Sequence, residues 1–256
     1  IPVLQPPTLK DPAFMTPFTA LNADIGVVAA YARILSEAVL AVPPLGMINV
    51  HASLLPRHRG AAPVHRAIIA GDSVTGVTIM RVVKALDAGP MMAEARRSIG
   101  PNETSEDVER DLSVLGAELL VSTLNAFGGG SPRDTPQHDS AATYAARLTK
   151  EDGLIHWDWP AQRIHDLIRG LHPWPHAYTF LDGSRVILLR SLVSSEPASG
   201  IPGTIAVAGG NQLRIATGRG GLDIVQIQTE GKRPMTARDF LAGHPLQPGR
   251  RFTSEP

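Results

Sequence analysis

The first half of the chain alternates between continuous apolar runs and a shorter segment of helical character. Apolar residues dominate 24–31 and 47–52, and the intervening segment 35–42 stops at Pro43 and Pro44. A continuous apolar run of strand length is typical of a strand that is buried on both faces. A strand, a helix and a second strand in this order predict a βαβ unit with two parallel strands.

Three further segments extend this α/β region. A helix is predicted from Pro63 to Gly71, because proline suits the first turn of a helix and glycine commonly ends one. The β-branched run 75–83 predicts a strand. A long helix is predicted to begin near Thr104, where Asp107 stands three residues later as in a capping box. Its apolar stripe consists of Val108, Leu112, Leu115 and Leu119.

The pattern changes at Gly128, and a second region follows. Residues 128–150 are rich in glycine, proline and polar side chains and show no periodicity, which predicts an interdomain linker. We therefore expect a first domain over 1–127 and a second domain over 151–256. The second domain starts with a predicted helix over 161–171.

Short strands separated by glycine-containing turns dominate the rest of the second domain. Asp182 and Gly183 predict a tight hairpin turn. Many short strands of this kind predict a small β-barrel, followed by one helical turn over 236–241. The predicted strands are 178–181, 185–189, 203–208, 212–217 and 221–228.

The amino-acid composition excludes several kinds of functional site. Of the 256 residues, 43% are hydrophobic and 19% are charged, as in a typical globular protein. There is no cysteine, which excludes disulfides, thiolate metal sites and a cysteine nucleophile. No apolar run reaches the roughly 18 residues of a membrane span. The net charge is zero, with −3 on residues 1–152 and +3 on residues 153–256, a weak indication of a polyanionic partner for the second domain.

Three polar residues are predicted to meet at one end of the sheet. Asn49 and His51 stand two apart on a strand and so point to the same face, while Asp87 follows the next strand beside Gly89 and Pro90. Sites in open α/β sheets form beyond the carboxyl ends of the strands. A carboxylate can orient an imidazole, the imidazole can move a proton, and an amide can donate to an oxygen that becomes negative. The alternative is a polar strand end that is capped by a loop aspartate.

The same region allows two other interpretations. Ser53 with His51 and Asp87 could form a serine hydrolase site, although the Gly-x-Ser-x-Gly elbow is absent. His51, His58 and His65 recur every seven residues, but a proline and a glycine lie between them, so no helix carries all three. We predict no metal site there and expect His58 and His65 to be surface or helix residues.

The basic residues at two places could bind an anion. Arg57 and Arg59 lie beside the predicted cleft, where a loop facing a phosphate or carboxylate competes with a simple solvated loop. Lys232, Arg233 and Arg238 follow the last predicted strand, where they could contact a nucleic-acid backbone or form a solvated turn.

Several motifs resemble one family throughout the chain. The segments INVHASLLPRHRGAAPVHRAIIAGD, TGVTIM and LDAGPM resemble the folate-dependent formyltransferases. The RGAAP continuation is most similar to the branch of the family that acts on methionyl-tRNA. The segments HPWP, PGTI, ATGRGGLDIVQIQTEGKRPM and DFLAG are similar to the C-terminal barrel of that branch.

This resemblance implies a fold and an activity. The fold would be α/β, a Rossmann-like formyltransferase domain with a C-terminal OB-like β-barrel that binds tRNA. The formyl donor would be 10-formyltetrahydrofolate and the acceptor the α-amine of methionyl initiator tRNA, with no metal involved. We expect a cytoplasmic, monomeric enzyme of translation initiation. The alternatives are a formyltransferase acting on a small amine, a nucleotide or an amino-sugar, and an inactive RNA-binding relative.

The resemblance also implies roles for individual residues. Asn49 and His51 would hold the formyl oxygen, and Asp87 would orient His51 and relay the proton of the amine. The implied folate-binding residues are Arg33, Ile34, Leu35, Ser53, Leu54, Leu55 and Pro56. The implied tRNA contacts are Arg57, Arg59, Lys232, Arg233 and Arg238.

The chain departs from the family pattern in two places. The β-α-β stretch with a Gly-Thr-Pro turn that opens the family does not precede Ile1, so we expect a fragment, a processed chain or the ordered part of a longer chain. LDAGPM carries Pro90 where the tRNA enzymes usually have aspartate, but Asp87 is in place.

Overall fold

A computed structural model describes residues 2–9, 11–31, 33–130 and 132–256. Ile1, where the predicted first domain begins, and Ser131, within the predicted linker, lie outside these ranges. The chain divides into two compact units. Unit 1 comprises residues 1–63, 74–98 and 110–146, and unit 2 comprises residues 64–73, 99–109 and 147–256. Residues 132–146 of the predicted linker thus fold with unit 1.

Unit 1 is built on a four-stranded sheet with the order β1-β2-β4-β5. Strand β1 (Gly26–Ala29) and strand β2 (Met47–His51) are parallel and are connected through helix α2 (Glu37–Leu40). The predicted βαβ unit is therefore confirmed. The next strands run the other way, because β4 (Val74–Arg81) is antiparallel to β2 and β5 (Met91–Ser98) is antiparallel to β4.

Helices cover parts of this sheet. Helix α4 (Ser105–Phe127) approaches closely at Gly116, where an added Cβ would lie 3.1 Å from Val50 and 3.5 Å from Val77. The face of β2 that carries Val50 therefore packs on the helix, and the opposite face carries Asn49 and His51. Helix α1 (Pro12–Thr19), which the hydrophobic pattern did not reveal, contributes Phe14 to a core cluster with Val39 and Met47.

A pair of two-residue strands connects the loop after β2 with the segment after α4. Strand β3 (Arg59–Gly60) pairs in parallel with β6 (Tyr144–Ala145). Helix α3 (Pro63–Ile69) follows β3, as the proline at its start predicts. Neither β3 nor β6 is visible in the sequence pattern, since two residues are too few to show an alternation.

Unit 2 is a curled antiparallel sheet with the order β13-β7-β8-β11-β10-β9, and β12 also pairs with β11. Its two outer strands meet at one corner, where Ile205 donates to the carbonyl of Arg250 and Phe252 donates to the carbonyl of Gly203. This curled sheet matches the small barrel predicted from the short strands. Its elements are α5 (Ala161–Gly170), β7 (Ala177–Leu181), β8 (Ser184–Val193), β9 (Ile205–Gly209), β10 (Gln212–Ala216), β11 (Gly221–Thr229), β12 (Met235–Thr236), α6 (Ala237–Gly243) and β13 (Phe252–Thr253).

Turn and capping residues correctly predicted the ends of several strands and helices. Asp182 and Gly183 both have positive φ, as the predicted hairpin between β7 and β8 requires. Thr104 and Asp107 form a reciprocal capping box, since each backbone N–H donates to the other side chain. Among the described residues, none of the helices is long and apolar enough to cross a membrane.

His165 is a buried titratable residue of unit 2. It lies on α5 with 3% of its surface exposed. Its Nε2–H donates to the carbonyl of Pro101 at 2.9 Å, and its Nδ1 accepts from the Ser191 hydroxyl at 3.0 Å. Burial lowers the pKa of His165 below that of an exposed histidine. Burial also lowers the pKa values of His65, His172 and His176.

These lowered pKa values predict a stability that falls on mild acidification. Between pH 7.5 and about 5.5 the unfolded chain takes up protons on histidines near pH 6.5, and the folded chain resists the same uptake. The free energy of unfolding in urea should therefore decrease as the pH falls through this window. His165→Gln, which does not titrate, should reduce the slope, whereas an unfolding free energy that is constant or rises on acidification would contradict this explanation.

Candidate active site

Asn49 and His51 lie on strand β2 and face the side of the sheet away from α4. Asn49 is half-buried, and the His51 side chain is 6% exposed. His51 is the last residue of β2 and pairs in register with Thr78 of β4. The two side chains thus stand where the strand gives way to the following loop, as their spacing predicts.

The loop after β2 fixes the orientation of the His51 ring. Its Nε2 lies 2.9 Å from the backbone carbonyl oxygen of His58. Because a carbonyl oxygen only accepts, Nε2 carries the hydrogen, and Nδ1 of the neutral ring bears the lone pair. The carbonyl of His58 sets the tautomer of His51, a role that the sequence analysis assigned to Asp87. His58 itself is buried, in contrast to the predicted surface position, and its φ is +58°.

Asp87 faces the other nitrogen of the ring. Its Oδ2 lies 3.8 Å from Nδ1 of His51 and accepts a hydrogen bond of 2.8 Å from the backbone N–H of Gly60. The Asp87 side chain is 13% exposed, and its backbone has a φ of +47°. A proton that arrives at Nδ1 would therefore be stabilised by a carboxylate that is held in place by a backbone donor.

The predicted meeting of His51 and Asp87 occurs, but for a different structural reason. The prediction placed both side chains beyond the carboxyl ends of neighbouring strands, and such ends meet at one edge of a sheet only when the strands are parallel. Strand β4 is antiparallel to β2, and Val82, just after β4, donates to the carbonyl of Met47 at the opposite end of β2. The loop from Val82 to Pro90 must turn back toward Gly60 for the Asp87 carboxylate to reach His51.

Two buried hydroxyls hold the loop that follows His51. Thr78, which is fully buried, donates to the carbonyl of Ser53 at 2.7 Å and accepts from the N–H of Leu55 at 3.1 Å. The hydroxyl of Ser53 donates to the carbonyl of Arg57 at 2.7 Å, and Ser53 is 0% exposed. Thr78 was missed by the sequence analysis because a buried threonine on a strand resembles ordinary packing.

The two alternative interpretations of this region find no support in the geometry. The Ser53 hydroxyl is bonded to a backbone carbonyl and is buried, so it is not available as a hydrolase nucleophile. Within the described residues, no three or more histidine, aspartate or glutamate side chains are grouped in a way that could hold a metal ion. His65 instead pairs with Glu109 in unit 2 at 3.4 Å.

The residues predicted to bind folate lie in two segments of unit 1. Because β1 and β2 are parallel, the chain that follows β1 and the chain that follows β2 leave the same edge of the sheet. Ile34 is 85% exposed, and the Arg33 guanidinium donates to the carbonyl of Pro7 at 2.8 Å. Leu35 packs against the core cluster around Phe14. After β2, Leu54 and Pro56 are half-buried, whereas Ser53 and Leu55 are buried and have little side-chain surface to offer a ligand.

Arg59, a predicted contact to RNA, is buried and hydrogen-bonded within unit 1. Its side chain is 4% exposed, and its guanidinium donates to Oε1 of Gln137 and to Oδ1 of Asp139. Its backbone N–H donates to the carbonyl of Thr143 at 2.9 Å. A buried guanidinium with these partners has little surface to offer a phosphate, so the contact of Arg59 with tRNA stays a prediction. Arg57 is exposed.

Basic residues of unit 2 form a second surface of interest. Lys232, Arg233 and Arg238 are all exposed, as their proposed contact with nucleic acid requires. A groove of about 910 Å³ in the same unit was not foreseen. The guanidinium of Arg163 stacks 3.6 Å from the ring centre of Trp159 at this groove. Arg66, Arg169 and Arg219 also line it, together with Asp72, Asp152 and Asp166.

The charges of this groove are partly compensated. Arg66 forms a two-pronged pair with Asp152 at 3.0 and 3.1 Å, and Arg169 donates to Asp166 at 2.8 Å. Paired arginines offer less attraction to an incoming anion than exposed ones. Arg163 and Arg219 are exposed and carry the basic character of the groove.

Comparison with known proteins assigns the chain to a family. The family model described as formyl transferase matches residues 2–124, and that of the formyl transferase C-terminal domain matches residues 147–245. The methionyl-tRNA formyltransferase of Sorangium cellulosum (strain So ce56) is 43% identical over 97% of this chain and 81% of its own length. The chain belongs to the methionyl-tRNA formyltransferase family. A second member, from Trichlorobacter lovleyi, is 45% identical over 97% of this chain and 78% of its own length.

Solved structures agree with membership of this family at the level of the fold. The methionyl-tRNA formyltransferase from Clostridium thermocellum has a TM-score of 0.59 at 20% identity and covers 73% of this chain and 80% of its own. HypX from Aquifex aeolicus in complex with tetrahydrofolic acid has a TM-score of 0.67 at 18% identity, over 90% of this chain and 41% of its own. These likenesses support a Rossmann-like unit followed by a curled antiparallel sheet.

The close approach of Gly60 to β6 predicts a large effect of a small substitution. Gly60 has a φ of +121°, and an added Cβ would lie 2.7 Å from the carbonyl oxygen of Ala145. Gly60→Ala should therefore lower the free energy of unfolding by about 2 kcal/mol or more, measured in urea. Gly209→Ala is the matched control, because its Cβ would meet nothing within 4 Å and its backbone lies outside the left-handed region. Equal stability of the two variants would contradict the geometry described here.

Proposed function

We propose that this protein transfers a formyl group from 10-formyltetrahydrofolate to the α-amine of methionyl initiator tRNA, for the initiation of translation. The support comes from relatives of 43% and 45% identity that carry the name methionyl-tRNA formyltransferase. The observation that carries the proposal is the pairing of His51 with Asp87 beside Asn49, at the end of β2.

The reaction itself explains why the protein needs no nucleophile of its own. The amine nitrogen of the acceptor forms a bond to the formyl carbon, and the bond from that carbon to N10 of the folate breaks. The amine loses one proton, and N10 gains one. Catalysis then requires orientation, stabilisation of a negative oxygen and transfer of a proton. The lack of cysteine and the buried position of Ser53 fit this chemistry.

Each of the three residues has a role that suits its surroundings. Asn49 would donate from its side-chain amide to the formyl oxygen as negative charge develops there. His51 would accept the amine proton at Nδ1, since Nε2–H is already engaged with the carbonyl of His58. Asp87 would stabilise the resulting imidazolium from 3.8 Å, a distance that the approach of substrates could shorten.

The donor would bind along the edge that the chain segments after β1 and β2 share. Ile34 offers an exposed apolar side chain and Arg33 lies next to it, while Leu54 and Pro56 are half-buried on the second segment. Apolar contacts with a few polar groups are typical of sites for small organic ligands. In this proposal Ser53 and Leu55 shape the loop from within and do not touch the ligand.

The acceptor would use basic surface for its phosphates. In unit 2 these contacts would come from Lys232, Arg233 and Arg238, with Arg163 on Trp159 as a platform on which a base could stack. We therefore assign formyl transfer to residues 1–127 and tRNA binding to residues 151–256. Arg57 remains a proposed contact at the catalytic end. The monomeric state and the cytoplasmic location stay predictions.

The proposal predicts the loss of transfer without loss of fold in three variants. Asn49→Ala removes the donor to the formyl oxygen, His51→Asn the proton acceptor, and Asp87→Asn the charge that stabilises it. Each variant should lower kcat for formylation of methionyl initiator tRNA by about a hundredfold or more. Transfer of a radiolabelled formyl group to charged tRNA measures the rate, and thermal unfolding reports the fold.

Asp24→Asn and Glu118→Gln are matched controls, because both carboxylates are exposed in unit 1, one just before β1 and the other on α4, away from the end of β2 and from the proposed tRNA contacts. They should retain the wild-type rate. Near-normal kcat in all three site variants would refute the proposed roles. Transfer to a free amino-sugar or amino-nucleotide in preference to charged tRNA would point instead to a small-amine formyltransferase.

A further inference from the structure

Gln137 connects the two loops that form the candidate active site. It lies in the segment after α4 that has the composition of a linker, and it is half-buried in unit 1. Its Nε2 donates to the backbone carbonyls of Asp87 at 2.8 Å and Gly89 at 2.7 Å. Its Oε1 accepts from Nε of Arg59 at 3.0 Å and from Nη2 of Arg59 at 2.8 Å.

These four contacts use the full hydrogen-bonding capacity of a carboxamide. The amide group has two N–H donors and one oxygen with two lone pairs, and each of them has a partner here. A carboxylate could keep the contacts with Arg59 but would place an acceptor against two carbonyl oxygens. The arrangement therefore depends on the amide of residue 137 and not merely on a polar side chain at that position.

The carbonyls that Gln137 holds belong to a strained part of the site. Asp87 adopts a φ of +47°, a conformation that non-glycine residues rarely adopt and that persists where the surroundings enforce it. Gln137 bonds to the carbonyl of Asp87 itself and to that of Gly89, two residues later. It thus restrains the backbone from which the Asp87 carboxylate extends toward His51.

The same side chain also acts on the other partner of Asp87. Arg59, which donates to Oε1 of Gln137, is followed directly by Gly60, whose N–H donates to Oδ2 of Asp87. Gln137, Asp87, Gly60 and Arg59 form a closed ring of contacts, in which Gln137 restrains the main chain of Asp87 and Gly60 restrains its carboxylate. Removal of the Gln137 amide would open this ring next to Asp87.

We propose that Gln137 is a positioning residue for formyl transfer, which holds the Asp87 carboxylate against Nδ1 of His51. This inference rests on the function proposed above and adds to it a residue that touches neither substrate. It also gives the segment after α4, which has the composition of a spacer, a role in positioning the active site.

The test compares Gln137→Glu and Gln137→Met with the wild-type chain. Glutamate keeps the acceptor for Arg59 and removes the donors to the Asp87 loop, whereas methionine of similar length removes both. Each variant should lower kcat by about ten- to a hundredfold, because small misplacements of a catalytic group have effects of this size. The KM values for folate donor and charged tRNA should change by less than about twofold, since binding surfaces are untouched.

Asp139→Asn is the matched control. Asp139 pairs with the same Arg59 but its side chain is 85% exposed, and pairs of such exposed groups have small energetic effects. This variant should retain the wild-type kcat. A fall in kcat of Asp139→Asn equal to that of Gln137→Glu would show that Arg59, and not the Asp87 loop, is the sensitive partner, and would overturn the proposal.

A double-mutant cycle shows whether Gln137 acts through Asp87. In an Asp87→Asn background, Gln137→Glu should change kcat by less than about twofold, because the carboxylate that it positions is already absent. Independent, multiplying losses of kcat would overturn the proposal. A merely structural role for Gln137 would produce such multiplying losses.

A readout without catalysis separates this inference from the proposed function. The ¹⁵N resonances of the His51 ring, assigned with His51→Asn, report the surroundings of Nδ1 in the whole protein. They should shift in Gln137→Glu and stay unchanged in Asp139→Asn. If the wild-type chain forms no formyl-methionyl-tRNA, the proposed function fails, while a shifted His51 signal still supports the positioning role. An unchanged His51 signal in both Gln137 variants would overturn the inference.

Discussion

The active-site architecture depends on one shared carboxylate oxygen. Oδ2 of Asp87 accepts from the backbone N–H of Gly60 and faces Nδ1 of His51 at 3.8 Å. Gly60 can present its N–H there because glycine can adopt a φ of +121° and because it has no side chain to clash with the carbonyl of Ala145. The backbone N–H of Gly60 thus orients the Asp87 carboxylate toward the His51 ring. The other nitrogen of that ring is hydrogen-bonded to the carbonyl of His58. Such an arrangement is set before substrates bind, which is what electrostatic stabilisation of a transition state requires.

The segment after α4 takes part in that arrangement. Thr143 accepts from the backbone of Arg59 and its hydroxyl accepts from the N–H of His58, while Gln137 bonds to the loop that carries Asp87. This segment has the composition of a spacer, yet it supports both the loop after β2 and the loop that carries Asp87. The connection between the catalytic region and unit 2 is built into the first unit and is not an independent element.

The sequence predicted those features that arise from local patterns. The parallel pair β1 and β2, the capping box at Thr104 and the hairpin at Asp182 all follow from short-range periodicity and turn chemistry. Strand β5 was missed because its exposed Glu94 and Arg96 alternate with small, half-buried residues, which lowers its apolar content at the edge of the sheet. The partners of His51 and Arg59 come from positions far along the chain, so no periodicity could reveal that His58 contributes a carbonyl or that Arg59 is buried. His51 and Asp87 were paired correctly from a parallel-strand rule that does not apply to β4, because the loop after β4 turns back on itself.

The most direct test is a crystal structure of the protein with a stable analogue of the folate formyl donor. The formyl oxygen should lie within about 3.2 Å of the side-chain amide nitrogen of Asn49. The formyl carbon should lie on the side of the ring where Nδ1 of His51 faces Asp87. A donor bound with its formyl group away from the end of β2, while Asp87 and His51 keep their present contacts, would contradict the proposed roles of these residues.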